Sequence, residues 1–160
     1  MKPLLEMPAV TPDGTFIARY SEKGLAELDF PKSGRVAKDE NIPAQVRGWH
    51  RVTEAALKSV LAGRAPKKFP PLAVTGTAFQ KSVWNALRKI SPGHTKSYGE
   101  IAVAIGKPKA VRAVGGACGA NPVPVLIPCH RVLAANKKLG GFSGGLDWKR
   151  ALLAREGVKV

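Results

Sequence analysis

Two reciprocal capping boxes constrain the fold of this 160-residue chain more than any other feature. In Thr77-x-x-Gln80 and Ser97-x-x-Glu100, a hydroxyl accepts from the backbone three residues on, and the longer side chain reaches back to the first amide. Each pair fixes where a helix begins, so helices start at Ala78 and at Tyr98. Phe79, Val83, Trp84, Leu87 and Ile90 form the apolar stripe of the first, which Ser91-Pro92-Gly93 ends. The second runs to Ile105, and Gly106 suits the left-handed position after it. Pro108 fits the first turn of a third helix reaching about Cys118. Two short helices joined by a three-residue turn with glycine read as a helix-turn-helix.

The flanking sequence is organised around these helices. Residues 15–20 and 25–30 are β-prone on either side of Ser21-Glu22-Lys23-Gly24, a hairpin signal. Residues 31–43 read as a loop. Residues 44–62 place Val46, Trp49, Val52, Ala56, Leu57, Val60 and Leu61 on one helical face. Pro66, Pro70 and Pro71 mark a connection, so the chain divides near residue 75 into lobes 1–75 and 76–160. Asn121-Pro122-Val123-Pro124 is not helical. Val125-Leu126-Ile127 reads as a buried strand leading into Pro128-Cys129. Residues 140–145, Gly-Gly-Phe-Ser-Gly-Gly, form a flexible loop. Asp147 caps a last helix, which Gly157 stops after Glu156. The fold class is α/β in the α+β sense.

Charge narrows the partners. Net charge is +15 and is unevenly spread. Residues 1–76 hold 12 Lys and Arg against 8 Asp and Glu, whereas residues 77–160 hold 14 against 3. A basic face on one half is the footprint of a polyanion, most often nucleic acid. No apolar run reaches the length of a membrane span, and the N-terminus lacks the apolar segment of a signal peptide. Two cysteines are too few for a disulfide scaffold, and a reactive thiol needs a reducing compartment. The expectation is a cytoplasmic protein.

The third helix carries Gly115-Gly116, and glycine in a helix costs about 1 kcal/mol relative to alanine. Small side chains allow either close approach to something large and flat or tight packing on another helix. Lys96, Lys107, Lys109 and Arg112 nearby favour a phosphate backbone. Downstream, Ile127-Pro128-Cys129-His130-Arg131 holds one of two cysteines beside one of three histidines. Thiolates are the nucleophiles, and a neighbouring base or cation lowers a thiol's pKa. Taken alone, these residues fit a primed nucleophile or a buried structural cysteine.

From about Gly76 to Gly157 the chain resembles the O6-alkylguanine-DNA alkyltransferase family, which moves an alkyl group from guanine in DNA onto its own cysteine. The resemblance rests on Phe79-Gln80-x-x-Val83-Trp84, Ser97-Tyr98-Gly99-Glu100-Ile101-Ala102, Val111-Arg112-Ala113-Val114-Gly115, Asn121-Pro122, Ile127-Pro128-Cys129-His130-Arg131 and Ser143-Gly144-Gly145, in that order. It implies a ribonuclease-H-like N-terminal lobe before a mostly helical C-terminal lobe.

It implies roles residue by residue. Cys129 is the alkyl acceptor, His130 draws off its proton through a water, and Glu156 orients that histidine. Tyr98 donates to the departing guanine, and Asn121 is a hinge. Arg112 fills the space of the flipped nucleotide, its alternative being an ordinary phosphate contact. Ser143 helps hold the base oxygen, and the backbone at Cys129 and Val132 reads the guanine amino group. Ala110, Ala113, Gly115, Lys109, Lys96 and Arg131 join the DNA-binding surface.

The implied activity is direct reversal of O6-alkylguanine, and of O4-alkylthymine, in the minor groove of duplex DNA by a monomer acting once. Some relatives bind zinc in the N-terminal lobe with Cys and His. Here that lobe holds His50 and no cysteine, so no metal and no cofactor are expected. Phe142 lacks the hydroxyl of some relatives' tyrosine and is an apolar wall only. Cys118 is read as structural. Two other classes remain open on the sequence: a DNA-binding module without chemistry, against which Cys129 argues, and a Cys-His hydrolase, which has no need of the basic helix-turn-helix.

Overall fold

Phe16, Ala18 and Tyr20 alternate along one strand and are completely buried, which fixes the inner face of the N-terminal sheet. The computed structural model describes residues 3–34, 37 and 39–160. Strands β1 (Leu5–Thr11), β2 (Gly14–Ser21) and β3 (Gly24–Asp29) form an antiparallel meander in that order. The hairpin of β2 and β3 matches the expectation from sequence. β1 was not anticipated, because Glu6 and Pro8 break its pattern. Proline is tolerated there because β1 lies on the sheet edge.

Helix α1 (Ala44–Leu61) packs on this sheet. Its buried face is Val46, His50, Thr53, Ala56, Leu57, Val60 and Leu61. Trp49 and Val52, expected on that face, are only half-buried. His50 and Thr53 take their place because the buried Tyr20 hydroxyl needs partners: it lies 2.8 Å from His50 Nδ1 and 2.9 Å from Thr53 Oγ1. Beyond α1, Leu25 donates to Pro71 O and Ala73 donates to Leu25 O, so the connecting segment lines the edge of β3.

Helix α2 (Ala78–Leu87) and helix α3 (Tyr98–Ala104) begin where the capping boxes require, with both reciprocal bonds formed in each. Gly106, at φ +75°, terminates α3 as expected. Helix α4 (Val111–Gly119) starts later than Pro108. Residues 107–110 form a turn closed by Ala110 N donating to Lys107 O, so the connector is longer than three residues. The helix-turn-helix is nonetheless present, with α2 and α3 both packed on α4.

Two further expectations are corrected. Residues 125–127 are deeply buried but form a turn rather than a strand. Val125 sits at φ +76°, and Ile127 N donates to Val123 O. Next to this turn, β5 (Val132–Leu133) pairs in parallel with the short β4 (Lys96–Ser97). The last helix, α5 (Leu146–Arg155), has Gly145 at its N-cap, with Asp147 exposed inside the first turn and not capping. One buried hydrophobic cluster runs from Phe16 and Leu57 through Trp84, Ile101 and Val114 to Ile127, Cys129 and Leu152.

Candidate active site and nucleic-acid interface

Cys129, His130 and Arg131 form one 3-10 turn just after the buried 123–127 segment. The turn is buried on every side: Cys129 is 4% exposed and His130 not at all. Val125 sets its entry, since a β-branched residue at positive φ stores about 1–3 kcal/mol that only surrounding packing can hold.

The end of α5 meets this turn through Glu156. Glu156 Oε2 lies 3.0 Å from His130 Nε2, and Arg131 donates from Nε to Oε1 at 2.9 Å and from Nη2 to Oε2 at 2.8 Å. Arg131 Nη1 also donates to Ile90 O at 2.7 Å. Burial by itself would raise the Glu156 carboxyl, but the hydrogen bonds and charges of His130 and Arg131 bring it down to about 2. An ionised carboxylate only accepts, so Nε2 of His130 carries the proton and Nδ1 presents a lone pair. Burial lowers the His130 pKa more than Glu156 raises it, so the ring is neutral near pH 7. Nδ1 has no hydrogen-bond partner among the described residues.

This geometry corrects one assignment. Arg131, expected on the DNA surface, is 5% exposed and neutralises Glu156, so its guanidinium is not available to a phosphate.

The thiol itself is not primed at rest. Burial pushes Cys129 up, opposed by a hydrogen bond with the Asn121 side chain, by the charge of Lys149 and by its own backbone amide. No hydrogen bond joins its sulfur to His130 among the described residues. Asn121 is buried and spans the segment, donating from Nδ2 to Ile127 O at 2.8 Å and accepting from Val123 N at 3.0 Å. It therefore holds the two ends of the 121–127 turn together beside the sulfur.

Tyr98, at the first position of α3, is half-buried and feels both Cys118 and Cys129. Burial raises its pKa, so the hydroxyl stays protonated and can donate. It lies against the 140–145 loop: a Cβ at Gly140 would sit 2.8 Å from the Tyr98 hydroxyl. Ser143 is exposed on that loop, beside a cavity of about 450 Å³ that Asn121 and Pro124 also line. Val132 is fully buried in β5, paired through its backbone with Lys96.

Along α4 the exposed side chains are Val111, Arg112 and Ala113, with Gly116 beside them, while Val114, Ala117 and Cys118 face the core. Nothing lies within 4 Å of where a Cβ would stand at Gly115 or Gly116. Packing against another helix is thus not why these positions lack side chains. Lys109 is exposed and Ala110 half-exposed at the start of α4. Lys96 is exposed and lies 3.9 Å from Glu100. Among the described residues no group of three or more His, Cys, Asp or Glu is placed to hold a metal, and no helix is long and apolar enough to cross a membrane.

Residues 78–158 match the profile of the family described as 6-O-methylguanine DNA methyltransferase, DNA binding domain. The chain belongs to the 6-O-methylguanine-DNA methyltransferase family. It is 42% identical over 147 residues to a methylated-DNA–protein-cysteine methyltransferase of Methanosarcina acetivorans, an alignment covering 92% of this chain and 94% of that one. It is 54% identical over 88 residues to the protein of that name from Haemophilus influenzae, covering 55% of this chain and 49% of that one. Among solved structures, the fold matches Mycobacterium tuberculosis OGT in complex with DNA, with a TM-score of 0.77 and 37% identity over 93% of this chain and 90% of that one.

Sequence reasoning missed one residue of this methyltransferase site. Lys149, on α5, has no exposed surface, and its Nζ donates to Gly141 O at 3.1 Å. Its charge reaches both Cys129 and Cys118, and burial lowers its own pKa. A wholly buried lysine is rare unless paired. Its signal in the sequence was its place on the buried face of α5, three residues before Leu152, where an apolar residue belongs. Cys118 is buried on α4, and its thiol is pushed up to about 12 by burial, so it is inert as a nucleophile.

Proposed function

We propose that this protein repairs DNA by direct reversal, taking the alkyl group from O6 of an alkylated guanine, and from O4 of an alkylated thymine, onto Cys129. The observation that carries the reading is the buried Cys129-His130-Arg131 turn coupled to Glu156. The His130 ring is fixed in the tautomer that leaves Nδ1 free to accept a proton.

The cysteine proton passes to His130 Nδ1 through an intervening water. The sulfur lone pair then attacks the alkyl carbon. The C–O bond breaks and its electron pair goes to the base oxygen. Tyr98 donates to the guanine as negative charge develops on it, which lowers the barrier. The positive charge of Lys149 favours the thiolate, as Asn121 does by hydrogen bonding. Ser143 steadies the base oxygen, and the backbone at Cys129 and Val132 reads the guanine amino group.

The alkyl carbon lies within the duplex, so the base is extruded, at a cost of a few kcal/mol. Arg112 on the exposed face of α4 occupies the space it leaves. Ala110, Ala113 and Gly115 allow α4 to approach the minor groove, with Lys109 and Lys96 facing phosphates. Asn121 links this helix to the thiol turn. Residues 76–160 carry the chemistry and residues 1–75 support it, in a monomer acting in the cytoplasm.

A thioether is a very poor leaving group, so each molecule acts once. The test is stoichiometry. With excess O6-methylguanine duplex, restored guanine levels off at one per protein molecule; continued turnover refutes the reading.

A further inference from the structure

The loop that carries Ser143 is held from outside the C-terminal helices, by a residue at the end of β3. Phe30 packs on Phe142 with ring centroids 5.7 Å apart and on Trp148 at 5.1 Å. Phe16, fully buried in β2, backs this cluster, lying 5.5 Å from Phe30 and 5.8 Å from Trp148. The fit against the loop is close. A Cβ added at Gly144 would stand 2.5 Å from Phe30 Cε2, nearer than side chains approach one another. The Phe30 ring has three aromatic neighbours and little room to retreat.

The same strand braces the other side of the site. Leu28 N donates to Pro122 O at 2.9 Å, fixing the backbone next to Asn121. Beside the two attachments lies the cavity of about 450 Å³, lined by Phe30 and Trp148 together with Asn121, Pro124 and Ser143. Strand β3 and the residue that follows it therefore reach both the Asn121-Pro122 segment and the glycine loop.

We propose that Phe30 is a positioning and specificity residue for alkyl transfer: it sets where Ser143 stands relative to Cys129 and limits how large an O6 substituent the site admits. This rests on the alkyl-transfer reading above. Of its three aromatic pairs, the one with Phe142 reaches the loop itself, while Phe16 and Trp148 hold the Phe30 ring in place behind it. Misplacing a positioning group by about 1 Å can cost about a hundredfold in rate. The loop has no regular secondary structure of its own to hold Ser143.

The test uses the full chain with Phe30→Ala, Phe30→Leu, Gly144→Ala and the double variant Phe30→Ala/Gly144→Ala. Single-turnover transfer is measured on duplexes containing O6-methylguanine and O6-benzylguanine. Duplex affinity comes from fluorescence anisotropy, and amide exchange is followed in peptides spanning residues 139–147. Phe30→Ala is expected to slow methyl transfer by about tenfold or more, with duplex affinity within about twofold, since α4 is untouched. The ratio of benzyl to methyl transfer rises, and exchange in the loop accelerates. Phe30→Leu, which keeps bulk and fold, lies between it and the wild type.

Gly144→Ala alone slows transfer, and that penalty shrinks when Phe30 is absent, the coupling expected of residues in contact. Wild-type rates with unchanged loop exchange in Phe30→Ala, or equal Gly144→Ala penalties in both backgrounds, overturn the proposal. If the wild type takes up no methyl group, the functional reading fails instead, and the exchange measurement still decides whether Phe30 holds the loop.

Discussion

His130 Nε2 and Glu156 Oε2 lie 3.0 Å apart in a space neither shares with solvent, their side chains having no exposed surface. Because Glu156 is ionised, this contact dictates the histidine tautomer and directs the free lone pair of Nδ1 away from the carboxylate. Glu156 also compensates Arg131, so one carboxylate fixes the imidazole and balances the guanidinium together.

Glu156→Gln should therefore fail in two respects. It leaves the buried Arg131 guanidinium uncompensated, at a cost of about 3–5 kcal/mol as for other broken buried pairs. It also frees the imidazole to adopt the other tautomer. Urea unfolding should show the loss of stability. Single-turnover transfer under folding conditions should fall by about a hundredfold or more, as when a catalytic histidine loses the carboxylate that orients it.

Acid should act through both partners in the same direction. The Glu156 pKa is depressed from 4.5 to about 2, so its contribution is present above pH 4.5 and lost as pH falls towards 2. The His130 pKa is lowered from 6.5, so the unfolded chain takes up a proton that the folded chain refuses, and stability begins to decline below pH 6.5. Transfer declines with falling pH as well, because a protonated His130 accepts nothing. Urea midpoints across pH 2–8 and single-turnover rates across pH 4–8 check both; stability that rises on acidification contradicts the assignment.

Lys149→Met separates catalysis from stability. Removing a fully buried ammonium that has a single hydrogen-bond partner among the described residues should leave the melting temperature unchanged or higher. Losing its charge should raise the Cys129 thiol pKa and slow transfer at neutral pH. Thiol titration by an alkylating reagent against pH reads the shift directly. An unshifted titration with full transfer contradicts the role.

Local rules made much of this fold readable in advance. The two capping boxes located α2 and α3 because reciprocal side-chain bonds operate within four residues, and Gly106 and Gly157 stopped helices because positive φ is a local demand. The elements misread are those decided at a distance. β1 exists because β2 offers it a ladder, despite Pro8. Val125 turns because packing outweighs the β preference of its side chain. Arg131 looked like a phosphate ligand, but Glu156 comes to it from the far end of the chain. Lys149 was passed over although it stands where an apolar residue of α5 belongs, because its contact with Gly141 is one that only the fold brings about.

Arg112 is exposed on α4 and tests the DNA face. Arg112→Ala should weaken duplex binding and reduce the salt slope of affinity by about one. If its side chain fills the space of the extruded nucleotide, transfer at saturating duplex falls too. A phosphate contact alone would leave saturated transfer intact, so single-turnover rates at saturation separate the two roles.

The most direct test is intact mass after incubation with a duplex carrying O6-methylguanine, comparing the wild type with Cys129→Ala. The wild-type chain should gain the mass of one methyl group, localised to Cys129 by peptide analysis. The variant should gain none and still bind the duplex. A methyl group on Cys118 or elsewhere, or methyl uptake by Cys129→Ala, would contradict the account.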